Sequence, residues 1–259
     1  MDLLRISLVQ LDISWESPVQ NRLKLESLLE PITGQTDLIL LPEMFTTGFS
    51  MKARELAETM DGESVSWMKF QAKKTGSAIA GSLIIEESGH FYNRFLFVSP
   101  DGKIDFYDKR HLFSMGEENQ YFDQGTERVI VHYAGWRIAP FVCYDLRFPV
   151  WCRTIRDADL VLFTANWPES RKIVWQTLVP ARAIENQLYV AAANRTGTDG
   201  SGIKYMGASM VVDPRGAING NIAPDQETVV SCTLSLEDLQ AFRRKFPVER
   251  DEDIFTISC

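Results

Sequence analysis

Asp37-Leu38-Ile39-Leu40-Leu41-Pro42-Glu43 is the stretch on which the fold class turns. Leu38 to Leu41 is an unbroken apolar run, closed by a proline that cannot donate to a strand ladder and followed at once by a carboxylate. A run that short and that apolar predicts a strand buried on both faces of its sheet. Upstream, Leu4 to Val9 is a second apolar strand, ending at Gln10. Between them, Ser17-Pro18-Val19-Gln20 has the marks of a helix start, with Ser as N-cap, Pro in the first turn and Gln closing a capping box. Leu25, Leu28, Leu29 and Ile32 then fall on one helical stripe. Strand, amphipathic helix, strand is a βαβ unit, so the two strands are expected to be parallel with a right-handed crossover.

Outward from this unit the alternation continues. A helix is predicted over 64–74, with Val65, Met68 and Ala72 inward. Strands over 78–86, 91–98 and 103–107 follow, joined by the turn sequences Ser88-Gly89 and Pro100-Asp101-Gly102. The stretch 112–126 has no period and reads as a long loop, and loops of that length tend to be functional. Ile138 to Val142 is another buried strand. Beyond it the pattern predicts a helix around 150–156, a strand over 159–164, and a helix over 172–186 in which Pro180 implies a kink or break. Strands over 188–193, 206–212 and 228–234 and a closing helix over 236–246 complete the series. After Pro247 an acidic run, Glu249-Arg250-Asp251-Glu252-Asp253, gives way to apolar Ile254, Phe255 and Ile257. Such a tail can dock on a partner subunit or fray. The sum is an α/β layered fold in one domain, residues 1–259.

The composition is that of an ordinary globular chain: 259 residues, 45% hydrophobic and 24% charged. A net charge of −8 argues against nucleic acid or an anionic membrane as partner. No apolar run approaches the length of a membrane-spanning helix, and the start lacks the pattern of a signal peptide, so the expectation is a cytoplasmic protein. Cys143, Cys152, Cys232 and Cys259 are widely separated, and His90, His111 and His132 are scattered. That spacing predicts free thiols and no metal.

Three places could carry chemistry. Cys143 ends the strand Ile138 to Val142 and is followed by Tyr144-Asp145-Leu146-Arg147-Phe148-Pro149, which offers its sulfur at an element edge and the Tyr144 backbone N–H to a developing oxyanion. Taken alone, a cysteine there is more often a small buried hydrophobe. Glu43 stands at the end of its strand, where open α/β sheets place ligands, and is a candidate general base. Lys109 follows the strand ending at Tyr107 and could supply a fixed positive charge, although a surface lysine is the commoner case.

Together, Leu40-Leu41-Pro42-Glu43-Met44-Phe45, Tyr107-Asp108-Lys109-Arg110-His111-Leu112-Phe113 and Val142-Cys143-Tyr144-Asp145-Leu146-Arg147-Phe148-Pro149 resemble the nitrilase, or carbon–nitrogen hydrolase, superfamily, with its catalytic order Glu, Lys, Cys. Asn166-Trp167-Pro168 and Ala181-Arg182-Ala183-Ile184-Glu185-Asn186-Gln187 look like further segments of that family. Thr46-Thr47-Gly48-Phe49 and the residues after Cys143 look most like its bacterial ω-amidase branch. The resemblance implies a four-layer αββα sandwich that commonly pairs into homodimers, and a reaction that needs no cofactor. It implies Cys143 as nucleophile, Glu43 as acid and base, and Lys109 with the Tyr144 N–H as oxyanion donors. It also implies a second glutamate in the long loop, for which Glu118 is the best match and Glu117 its neighbour. The substrate would be a small ω-amide of a dicarboxylic acid, such as 2-oxoglutaramate or 2-oxosuccinamate. Its far carboxylate calls for a cationic or hydrogen-bonding anchor, for which Arg147, Arg182, Arg195 and Tyr205 are candidates, with Trp167 as a wall.

Other readings remain open at this stage. Cys143 with His111 would make a papain-type dyad. Nitrile or carbamoyl substrates would use the same three residues, and a non-enzymatic binding protein could keep the fold. An enzyme is expected to hold Cys143 at a low pKa, alkylating faster than the other thiols. The run from Gly197 to Lys204 fails the phosphate-loop template and reads as a loop near the site.

Overall fold

The computed structural model describes residues 2–154, 156–253 and 255–257. The first half of the chain forms β1 (Leu3–Gln10), α1 (Pro18–Leu29), β2 (Leu38–Leu40), α2 (Ala53–Leu56), α3 (Glu63–Thr75), β3 (Ala78–Glu87), β4 (His90–Val98), β5 (Ile104–Asp108) and α4 (Glu118–Tyr121). The second half forms β6 (Val131–Tyr133), β7 (Trp136–Val142), β8 (Leu160–Ala165), α5 (Lys172–Asn186), β9 (Tyr189–Asn194), β10 (Thr196–Thr198), β11 (Lys204–Met206), β12 (Met210–Val212), β13 (Ile218–Asn221), β14 (Thr228–Ser235) and α6 (Leu236–Lys245). Two six-stranded sheets result, ordered β14-β1-β2-β3-β4-β5 and β13-β12-β9-β8-β7-β6. The centre of each is parallel, β1-β2-β3 in the first and β7-β8-β9 in the second, as the βαβ pattern requires.

Alternation along the strands builds the layers. Leu38 and Leu40 face the second sheet in one apolar cluster with Leu4, Ile6, Leu8, Phe95, Phe97, Ile138 and Phe141. Ile39 and Leu41 face the other way, into a cluster with Leu25 and Leu29 of α1 and Val65, Met68 and Ala72 of α3. Trp175, Val179 and Ala183 of α5 cover the outer side of the second sheet. The order helix, sheet, sheet, helix is the αββα sandwich. Between the sheets Thr164 Oγ1 donates to the Leu41 carbonyl at 2.8 Å, tying the end of β8 to the end of β2.

The structure departs from several expectations. The described residues of 150–156 form no helix but turns and irregular chain, because tertiary hydrogen bonds claim them: Trp151 Nε1 donates to Tyr107 Oη (3.0 Å) and the Thr154 N–H to Asn186 Oδ1 (2.9 Å). Helix α5 runs unbroken through Pro180. Ser17 stands at the N-cap of α1 but its hydroxyl caps nothing; instead Asn21 joins the entry loop to Thr46, its Oδ1 accepting from the Ser14 N–H and its Nδ2 donating to the Ser14 and Thr46 carbonyls. The strand expected over 206–212 is split at Gly207, whose φ of +73° and contact with the Gln10 carboxamide leave no room for a Cβ. The loop 112–126 carries the short helix α4. The acidic tail returns to its own chain, where Glu252 pairs with Arg156 and Ile257 packs on the main core; Ile254 and Cys259 lie outside the described residues. Among the described residues no helix is long and apolar enough to cross a membrane.

Candidate active site

The carboxyl ends of β2, β5, β7 and β8 meet at one end of the sandwich, where parallel strands leave their last backbone groups unpaired and open a crevice. Glu43 follows β2 and Lys109 follows β5, both on the first sheet. Cys143 follows β7 and Asn166 follows β8, both on the second. Glu118 comes from α4 in the long loop.

Glu43, Lys109 and Glu118 are withdrawn from solvent, with side-chain exposures of 0%, 1% and 0%. Lys109 Nζ donates to Glu43 Oε1 and to both Glu118 oxygens, each at 2.9 Å. These contacts use all of an ammonium's protons. Glu118 Oε2 also accepts the Phe113 N–H at 2.6 Å, which fixes the loop onto the lysine. Its neighbour Glu117 is exposed and takes a left-handed backbone, φ 62°, so of the two candidates it is Glu118 that joins the buried cluster. Asn93, in the middle of β4, donates its Nδ2 to Glu43 Oε1 (2.8 Å) and Glu118 Oε1 (3.1 Å). Asn166 holds the other side of Glu43, with its backbone N–H on Oε2 (2.8 Å) and its Nδ2 on the Glu43 carbonyl (2.7 Å).

Cys143 adopts φ 44°, a left-handed conformation rare for a non-glycine residue, at the point where β7 turns into a 3-10 segment. Such a bend presents the side chain to the crevice, and Tyr144 falls in the first positions of the following turn, whose N–H groups have no partner within a helical segment. Asp145 holds the bend: it is fully buried and accepts from the Val142 N–H (3.0 Å), Tyr107 Oη (2.8 Å) and the His111 N–H (3.0 Å). Cys143 Sγ faces the Asn166 carbonyl at 3.9 Å.

Burial first, then the Glu43 charge, pushes the Cys143 thiol well above its ordinary value, with Lys109 pulling the other way. Burial works against the Lys109 ammonium, but Glu118 and Glu43 outweigh it and raise its pKa. Burial also raises Glu118, opposed by Lys109 and reinforced by Glu43. The low-pKa cysteine expected from the sequence is therefore corrected.

A cavity of about 290 Å³ opens on the sulfur. Tyr144, Arg147, Trp167 and Tyr205 line it, as the sequence suggested, and so do Phe49, Phe113 and Arg171, which the sequence did not single out. The Arg147 guanidinium lies 5.3 Å from the Trp167 ring centroid and that of Arg171 4.8 Å from Phe113. Arg195 is not in the wall. It is buried behind Tyr205, its Nε donating to the Thr196 carbonyl and its Nη2 to the Ile13 carbonyl (both 3.0 Å), while Nη1 has no hydrogen-bond partner. Arg182 is likewise committed, to the Leu146 carbonyl at 3.1 and 2.7 Å. Neither lines the cavity, where a carboxylate anchor was expected. His111 sends Nδ1 to Asp145 at 2.7 Å and stacks on Phe148, so it is built into the support of the bend rather than paired with Cys143. The run from Gly197 to Lys204 forms a hairpin of β10 and β11 whose Asp199, Ser201 and Ile203 edge the cavity.

Comparison with known proteins agrees with this geometry. The family model described as carbon–nitrogen hydrolase matches residues 5–244. The chain is 46% identical over 254 residues to the omega-amidase YafV of Escherichia coli (strain K12), covering 98% of each chain. It is 34% identical to the 2-oxoglutaramate amidase of Bacillus subtilis (strain 168), covering 95% of this chain and 96% of that one. Among solved structures, XC1258 from Xanthomonas campestris, a CN-hydrolase superfamily protein with an arsenic adduct in its active site, superposes with a TM-score of 0.97 at 47% identity over the full length of both chains.

Proposed function

Because the chain belongs to the carbon–nitrogen hydrolase family, we propose that Cys143, Glu43 and Lys109 hydrolyse the terminal amide of small ω-amides of dicarboxylic acids, of the 2-oxoglutaramate and 2-oxosuccinamate type. The observation that carries the reading is a half-buried thiol in a cavity lined by two guanidinium groups, beside a buried Glu43–Lys109–Glu118 cluster. Cys143 Sγ attacks the amide carbonyl carbon while its proton passes to Glu43. The carbonyl electron pair moves to oxygen, stabilised by the Tyr144 N–H and the Lys109 charge. Since the Lys109 protons are taken up by the two glutamates, its help at this stage is through-space charge until one contact is exchanged for the oxyanion. Glu43 returns the proton to nitrogen, the C–N bond breaks, and ammonia leaves a thioester. Water then enters, loses a proton to Glu43 and displaces the sulfur, which regains its proton. The dicarboxylic acid is released and the site is restored.

Size and charge support the substrate class. The cavity suits a short chain, and Arg147 or Arg171 can meet a carboxylate with a forked pair of hydrogen bonds. A catalytic thiol that must stay reduced fits a cytoplasmic protein, and the family reading adds a homodimer built from a single catalytic domain. Ammonia release from 2-oxoglutaramate, 2-oxosuccinamate, glutamine, asparagine and a simple nitrile, for wild type and Cys143→Ala, tests the reading. Release from the 2-oxo amides that vanishes in the variant is expected; release that survives it overturns the role of Cys143.

A further inference from the structure

Asn93 touches every charged member of the cluster. Its Nδ2 donates to Glu43 Oε1 and Glu118 Oε1, and its backbone carbonyl accepts the Lys109 N–H at 3.1 Å. It is fully buried, and its Oδ1 has no hydrogen-bond partner. A buried amide oxygen left unpaired costs free energy, so the orientation is held by what the other end does. Only acceptors face Nδ2, and both belong to carboxylates.

We propose that Asn93 is a positioning residue that directs the proton taken from Cys143 to one chosen oxygen of Glu43. Glu43 Oε1 already accepts from both Asn93 and Lys109. Glu43 Oε2 accepts one firm bond, from the Asn166 N–H at 2.8 Å, and one slack contact, from Asn166 Nδ2 at 3.4 Å. The oxygen with a lone pair to spare is Oε2, on the side of the residue whose carbonyl faces the sulfur. When the S–C bond forms, the S–H proton goes to Oε2, the slack contact is given up, and Oε1 keeps both of its donors as a carbonyl oxygen. When the leaving nitrogen takes that proton, the first arrangement returns without any side chain having turned over. Asn93 thereby also places a neutral dipole between two carboxylates, donating to one oxygen of each.

This inference rests on the proposed roles of Cys143 and Glu43, and the experiment separates the two. The full pH dependence of kcat and kcat/KM on 2-oxoglutaramate is compared for wild type, Cys143→Ala, Asn93→Ala and Asn93→Ser. Loss of two charge-assisted hydrogen bonds in Asn93→Ala should lower kcat by about 10- to 100-fold with KM nearly unchanged. The acid limb of kcat/KM should move up by roughly one pH unit, because Glu118, already raised by burial, loses a donor to its charged form. Asn93→Ser, which keeps one donor and the fold, should shift the limb in the same direction by less. A merely structural role would reduce the amplitude and leave the limb in place. An unshifted limb in either folded variant overturns the inference while an inactive Cys143→Ala still upholds the proposed function; an active Cys143→Ala removes the function and the inference together.

Discussion

Replacing Glu118 by Gln is the change whose cost the structure lets one work out most fully. The carboxylate accepts four hydrogen bonds and donates none: Lys109 and Asn93 on Oε1, Lys109 and the Phe113 N–H on Oε2. A carboxamide has one acceptor oxygen, and its NH2 must face two donors whichever way it is turned. With the oxygen towards Asn93 the NH2 meets Phe113 and Lys109, and in the flipped state it meets Asn93 and Lys109. Each buried donor left facing a donor costs about 1–3 kcal/mol, so the total is near 4 kcal/mol. For a chain of this size that lowers Tm by roughly 8–16 °C. Glu117→Gln, on the exposed neighbour, should stay within about 0.5 kcal/mol of wild type. Turnover should fall about 100-fold in Glu118→Gln, since the lysine loses half of its seat. Thermal unfolding followed by circular dichroism, with ammonia release on the same samples, reads both effects. Equal melting temperatures for the two variants would refute the hydrogen-bond accounting, and so would a stable Glu118→Gln with full activity.

Two further outcomes follow from the site. Since burial and Glu43 push the Cys143 thiol up, its thiolate fraction is small at neutral pH and grows as pH rises. Alkylation of Cys143 by iodoacetamide, read by mass spectrometry, should therefore keep accelerating past the ordinary thiol range; a plateau by about pH 7 would contradict it. Arg147→Ala and Arg171→Ala should raise KM for 2-oxoglutaramate and spare kcat on an uncharged amide of the same length, with the larger effect marking the carboxylate anchor; unchanged KM in both would place the anchor elsewhere.

Much of this was legible in the chain, and the reasons are particular. Leu38-Ile39-Leu40 announces a strand buried on both faces because both faces are covered, by the second sheet and by α1 and α3. Glu43, Lys109 and Cys143 each follow the end of a strand, which made them candidates, but it was the resemblance of their three segments to the carbon–nitrogen hydrolases that singled them out together. Arg195 misled because a buried arginine looks in sequence like any other; it sits behind the wall, with Nη2 on the Ile13 carbonyl and Nε on that of Thr196. The turns after Cys143 were misread as helix since nothing local reveals that Trp151 is claimed by Tyr107 and Thr154 by Asn186. Asn93 did leave a signal, a carboxamide beside Arg94 in the otherwise apolar or aromatic strand Phe91 to Val98, but its meaning depends on two carboxylates arriving from distant segments.

The division of the site between the sheets makes the thickness of the sandwich a chemical variable. The base and the ammonium ride on one plate and the nucleophile on the other, and the Thr164–Leu41 and Asn166–Glu43 hydrogen bonds are the rivets between them. Phe95, Phe97, Ile138 and Phe141 set the gap, so their volumes act as a spacer gauge for proton transfer. A methylene added or removed in that layer would be felt as slower chemistry well before it was felt as a weaker fold, and the identity of residues far from any substrate is thereby held to the tolerances of the reaction.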